Sequence, residues 1–283
     1  MDNENSVKST APSLATIREG DGYLKVGDVG SSVVTCRKLL NGKGYTCNTT
    51  STTYDTTLQA VVKRFQTAMG LESDGALGQA TLAVLEDTQS ATGWFSPEGD
   101  INITAGKLAR MGFVKLVLKP ANVIKLNEAC NLFEFETRTQ VRHFLAQGMA
   151  ECHHGNTFME YSYTPGVMGT ADYAPYYGAG FIQMTWEDAY KKFYQYMKDV
   201  KKIDAPKIVE PKLYATQYVA QNYPYESAGW FWDKYKGLNA KIDGWTSLSA
   251  AETVKRVTEV VLGDSSGYQT RLTYYEKAKQ IFQ

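Results

Sequence analysis

No stretch of this 283-residue sequence approaches the ~20 consecutive apolar residues that a membrane-spanning helix requires, so no membrane insertion is expected. Lysine and arginine are nowhere concentrated into a stripe, which disfavours nucleic acid as a partner. Histidine is scarce. His143, His153 and His154 all fall within residues 143–154, so none can reach Cys152 from a distant part of the chain, as a cysteine peptidase needs. Adjacent His153 and His154 diverge, and there is no Cys-x-x-Cys pair. Neither a zinc amidase nor a structural zinc site is indicated, and no cofactor is expected. Cys36, Cys47, Cys130 and Cys152 would allow two bridges, one per half of the chain. With no basic-then-apolar export signal in the opening MDNENSVKST, reduced thiols and synthesis in the cytoplasm are the expectation.

What is present is the balance of an ordinary globular protein, long enough for two domains, and a monomer is expected. Residues 1–100 carry 8 basic against 12 acidic side chains, a net of −4. Residues 101–283 carry 22 against 18, a net of +4, a mild excess that would suit an anionic polymer. Residues 1–22 are polar and read as a tail or extended lead-in. From Tyr23, Val33, Val34, Leu39 and Leu40 run through a helical stretch that breaks at Asn41-Gly42. Tyr54, Leu58, Val61, Val62 and Phe65 then recur at steps of three and four, and Thr81, Leu82 and Leu85 begin a third helix. Turn-formers at 87–100 read as a linker, within which Trp94 and Phe95 would dock on one domain.

The string VGDVGSSVVTCRKLLNGKGY, followed by TLQAVVKRFQTAMGLESDGALGQATL, resembles the peptidoglycan-binding type 1 domain over residues 23–86. The matching marks are Val33, Leu39-Leu40, Ala60-Val61, Phe65-Gln66, Asp74-Gly75, Gly78 and Thr81, while Lys38 stands where a glutamine is usual. The resemblance implies a three-helix bundle that binds the bacterial wall.

Residues 101–283 read as mostly helix with long loops. Thr104 can cap a helix carrying Leu108 and Met111. Val123, Leu126, Asn127 and Cys130 share a face, and 137–150 forms a strong helix with Val141, Phe144, Leu145 and Met149 inward. Further helices are expected over 186–198, 210–236 (broken near Pro224) and 249–282 (broken near Gly263–Gly267). The 137–150 helix runs out at Glu151, beside apolar Phe144 and Met149. Burial there disfavours the charged carboxylate and suits it to donate a proton. Glu160 follows nine residues on, past the helix-breaking Gly155, on a loop that can fold back across a cleft. Two carboxylates, one protonated and one not, are the minimal equipment for cutting a glycosidic bond. Among 30 acidic residues such a pair is weak evidence alone.

The surroundings resemble glycoside hydrolase family 19, the chitinase-like group that includes many phage endolysins. FLAQ with the Ala-Glu pair, TFMEYSY, YYGAGFIQMTW (176–186), SAGWFWDKYKGLNA (227–240) and LNEAC carry the likeness. The resemblance implies a mainly α protein: the wall-binding bundle followed by a lysozyme-like α-rich catalytic domain over 101–283. It implies Glu151 as general acid, Glu160 as general base, and Thr185 holding the attacking water. Gln183 and Tyr177 would contact sugar, and inversion would follow from a carboxyl separation of about 6.5–9.5 Å. Aromatic faces at Tyr161, Tyr163, Tyr173, Tyr176, Tyr177 and Trp186 are candidates for stacking on sugar rings, whereas Trp230 and Trp232 read as core. Three departures stand out. Ala150 and Cys152 flank the acid, Ala179 replaces an arginine, and Leu262-Gly263-Asp264 replaces Asn-Gly-Gly. The expected activity is cleavage of the β-1,4 bonds of the peptidoglycan glycan strand, muramidase-like. A lytic transglycosylase, a chitinase, and a catalytically dead wall-binding protein are the alternatives. A lysin without a signal peptide would reach the wall through membrane holes or by another exit route.

Overall fold

The computed structural model describes residues 8–87, 98–99 and 101–283. The 87–100 linker, with Trp94 and Phe95, lies largely outside the described residues. The protein is mainly helical, with thirteen α-helices and a single two-stranded pairing among the described residues. No described helix is long and apolar enough to cross a membrane. The chain divides into two compact units, residues 1–91 with 103–123, and residues 92–102 with 124–283.

In the first unit, β1 (Ser9–Thr10) pairs in parallel with β2 (Asp28–Val29). Between them lies α1 (Leu14–Glu19), in a stretch whose polar composition reads as a lead-in. Two local signals and one long-range one make it a helix. Ser13 caps its first turn, Gly20 closes it at φ 85°, and Ile17 is fully buried. Arg18 clamps Glu86 with two bonds of 2.8 and 2.6 Å. The bundle comprises α2 (Ser31–Gly42), α3 (Thr56–Met69) and α4 (Gln79–Glu86), with α5 (Ala105–Met111, capped by Thr104) packed on α4. Val33, Leu40, Leu58, Val62, Phe65 and Leu82 form its core.

The marks around Asp74-Gly75 have a common physical cause. Gln66, buried on α3, donates from Nε2 to Asp74 Oδ1, the Ala76 carbonyl and Thr81 Oγ1, and its Oε1 accepts from Gly75 N at 2.8 Å. Gly75 sits at φ 76°, where a Cβ would meet Gln59 at 2.6 Å, so only glycine completes the turn. On α2 it is Arg37, not exposed Lys38, that turns inward, bonding the Thr53 carbonyl and Asp55.

The second unit is built round α7 (Arg138–Glu151), preceded by α6 (Pro120–Leu132), which begins in the first unit. After a long loop come α8 (Glu187–Asp199), α9 (Lys212–Asn222) and α10 (Glu226–Trp230). The last continues through one π turn, Phe231–Tyr235. Then come α11 (Leu238–Gly244), α12 (Ala250–Leu262) and α13 (Tyr268–Ile281). α7 starts with a capping box, Thr137 and Gln140 each satisfying the other's backbone N–H. α13, α12 and α11 pack against it. Phe144 projects from α7 into an aromatic cluster with Phe135, Phe181 and Trp232, at ring distances of 4.8, 5.3 and 5.2 Å. Trp230 and Trp232 are core residues. Gly148 lets Phe181 lie against the α7 backbone, for a Cβ there would meet that ring at 2.0 Å. All four cysteines are unbridged. Burial pushes the Cys36 thiol up to about 12 and raises those of Cys130 and Cys152.

Candidate functional site

Glu151 is the last residue of α7, and its side chain is 12% exposed. The helix stops there because the chain turns sharply through His153 and His154, at φ 48° and 61°. The His154 ring bonds the Tyr274 hydroxyl at 2.8 Å, and His153 packs edge-on against Tyr161. The Glu151 carboxylate accepts a bond from Arg271 of α13. That guanidinium is fixed in turn by Gln147 Oε1 at 2.8 Å, and Gln147 donates to Thr258 of α12 at 3.1 Å. Burial raises the pKa of Glu151, and the charge of Arg271 opposes the rise.

Glu160 lies beyond the turn in a different setting. Its backbone N–H donates to the Gly178 carbonyl at 3.0 Å, and Gly178 N donates back to Oε2 at 3.0 Å. Oε1 accepts from the Tyr173 hydroxyl at 2.7 Å and from the Ser162 hydroxyl. Burial, then the bond to Glu160, pushes the Tyr173 phenol up to about 12, which keeps it a donor. One acid is thus buried against a single cation. The other is cradled by three donors.

Both carboxylates line one cavity of about 630 Å³, together with Gln183, Thr185 and Trp186. With Tyr173, which also lines it, six of the ten residues singled out from the sequence converge. Thr185 donates to the Gln183 carbonyl at 2.7 Å, leaving its oxygen lone pairs to accept. Gln183 Nε2 donates to the Gly180 carbonyl at 3.0 Å. The other four are not brought to the cavity lining, and Tyr161 among them is exposed. Tyr163 and Tyr176 spend their hydroxyls on the Leu213 and Val209 carbonyls, and Tyr177 is buried between the rings of Tyr163 and Tyr173. They anchor the 161–180 loop from beneath. Three of the non-glycine residues at positive φ, His153, Gln183 and Trp186, line this cavity. Strained backbone of this kind persists where the surrounding structure holds a side chain in a required direction.

Sequence reasoning missed part of the lining. Phe231, Tyr235 and Lys236 arrive through the π turn, and Arg271 reaches Glu151 across 120 positions. Arg271 supplies a guanidinium to the carboxylate from the end of the chain, although position 179 is alanine. No local pattern signals it. Leu262 and Gly263, noted as departures, also line the cavity. Among the described residues no group of three or more His, Cys, Asp or Glu is placed to hold a metal ion.

Residues 29–85 match the family model described as "Putative peptidoglycan binding domain". That match supports a peptidoglycan-binding domain in the first unit and a cell-wall-related role for the chain. No curated protein matches the chain.

Proposed function

We propose that the protein cuts the glycan strand of peptidoglycan at a β-1,4 bond, with its second unit as the catalytic domain and its first holding it on the polymer. The observation that carries this reading is the convergence of Glu151 and Glu160 on one sugar-sized cavity in different surroundings, one buried beside Arg271 and the other held by three neutral donors. Divergent environments of two carboxyl groups are how acid and base roles are assigned on one site. Glu151, whose pKa burial raises, protonates the leaving oxygen. Glu160, its oxygens oriented by Tyr173, Ser162 and Gly178, takes the proton of an attacking water, with Thr185 accepting that water's second hydrogen bond. Inversion at the anomeric carbon is the outcome. The resemblance of residues 101–283 to glycoside hydrolase family 19 supports the same assignment. The wall-binding match favours peptidoglycan over free chitin, because tethering raises the local concentration of enzyme on its polymer.

A lytic transglycosylase is the second reading, favoured by the close hold of Arg271 on Glu151, which would let one carboxyl act as acid and then base. Mass spectrometry of digested peptidoglycan separates the two. Hydrolysis leaves reducing ends, and transglycosylation leaves 1,6-anhydro ends. Glu160→Gln should abolish the first and spare the second. Intact strands after incubation with the wild-type protein would sink both and leave a wall-binding protein.

A further inference from the structure

Lys236 comes directly after the π turn and lines the cavity, half-buried. Among the described residues no carboxylate lies within ion-pair reach of its ammonium. The two acids of the cavity are otherwise engaged, Glu151 by Arg271 and Glu160 by three donors, and neighbouring Asp233 and Glu134 pair with Lys234. The Lys236 ammonium rests on the rings of Phe231 and Tyr235, at 5.2 and 5.3 Å from their centroids. Lys241 donates to the Lys236 carbonyl and brings a second cation alongside. Burial, with the charge of Lys241, lowers the pKa of Lys236. A cation that is desolvated, held against aromatic rings and faced by another cation is relieved by an incoming anion. A neutral sugar offers it only hydroxyl and amide groups.

We propose that Lys236 recognises a lactyl carboxylate of the glycan and so selects a strand whose muramic sugars keep that carboxyl free of peptide over a neutral N-acetylglucosamine chain. This rests on the reading of the cavity as a glycan site, and it adds the residue that sets the choice of strand. The carboxylate sits against the Lys236 ammonium while the scissile bond lies between Glu151 and Glu160.

The test uses two tetrasaccharides and calorimetry on the full chain carrying Glu151→Gln, so that binding is read without turnover. One is β-1,4 N-acetylglucosamine alone, and the other alternates N-acetylglucosamine with N-acetylmuramic acid bearing its free lactyl carboxylate. The acidic ligand should bind about tenfold tighter at low salt, as a charge-assisted contact provides. That advantage should shrink at about 0.5 M salt. Adding Lys236→Gln should erase the preference, and Lys236→Arg should retain it. Equal affinity for the two ligands, an equal loss for both in Lys236→Gln, or binding of neither overturns the proposal. Turnover of the same pair by the unsubstituted chain keeps the two ideas apart. No cutting despite a retained preference removes only the cleavage chemistry. Cutting without preference removes only the role of Lys236.

Discussion

Buried without a hydrogen-bond partner on either ring nitrogen, His143 lies face to face with Tyr275 at 4.3 Å. Burial, aided by the charge of Arg142, pushes its pKa down to about 3. In the unfolded chain the ring takes a proton below about pH 6.5, while the folded protein resists until about 3. The unfolded state therefore binds more protons across that window, and acidification through it removes stability. His143→Phe keeps the ring and removes the orphaned nitrogens. Urea unfolding should show a gain of about 1 kcal/mol at pH 7 and a larger gain, by about 2 kcal/mol, near pH 4.5. An equal gain at both pH values would clear His143 of responsibility. Arg271 acts in the opposite sense on Glu151, favouring its charged form. Arg271→Met should move the alkaline fall of activity to higher pH and lower kcat, and should cost about 3 kcal/mol of stability, as loss of one partner of a buried pair does. Glu151 was legible in the sequence because a helix with an apolar face visibly ended on it. Its cationic partner was not, because contact across 120 positions leaves no periodic or spacing signal. Tyr163, Tyr176 and Tyr177 show the reverse limit: composition marks a tyrosine cluster, but only packing decides which hydroxyls face a cavity and which tie down a loop.

At the level of elements, α7 matters most because it positions Glu151 and fills the core of its unit. Thr137→Ala removes its capping box and should cost about 1 kcal/mol, read as a lowered urea midpoint. Gly148→Ala offers a sharper test. An alanine inside a helix is ordinarily favoured by about 1 kcal/mol, yet here the added methyl would strike the buried ring of Phe181. A loss of about 2 kcal/mol is expected instead. A gain in thermal midpoint would show that Phe181 can give way to the methyl without loss of packing. Most helices could be read from three-and-four spacing, with Thr104 capping as its side chain predicts and the breaks falling near Pro224 and at Gly263–Gly267. Two helices escaped. α1 holds one buried apolar residue, and α11 is seven residues long with Leu238 and Ile242 as its inward marks, too little for periodicity to register.

On the scale of the whole molecule, the two units are expected to contribute separable properties. Glu151→Gln should bind insoluble peptidoglycan as the unsubstituted chain does in a sedimentation assay, while strand cleavage falls by at least about a hundredfold, the usual contribution of a general acid. Loss of sedimentation in this variant would tie retention on the polymer to the second unit. The wall-binding bundle was legible because its marks are local: Gln66, Asp74, Gly75 and Thr81 lie within sixteen positions and meet in one hydrogen-bond network. The cavity was only half legible, because it gathers α7, the 161–186 loop, the π turn and the end of α12 from positions 150 to 263.

That single π turn makes chain length, more than side-chain identity, the sensitive quantity between Trp230 and Gly237. Its wider loop accommodates one residue more than α-helical winding would. Excising exposed Lys234 would remove that extra residue and let the segment wind as ordinary helix, closing the wider turn that carries Tyr235 and Lys236 to the cavity. Exchanging Lys234 for another polar residue would leave that register alone.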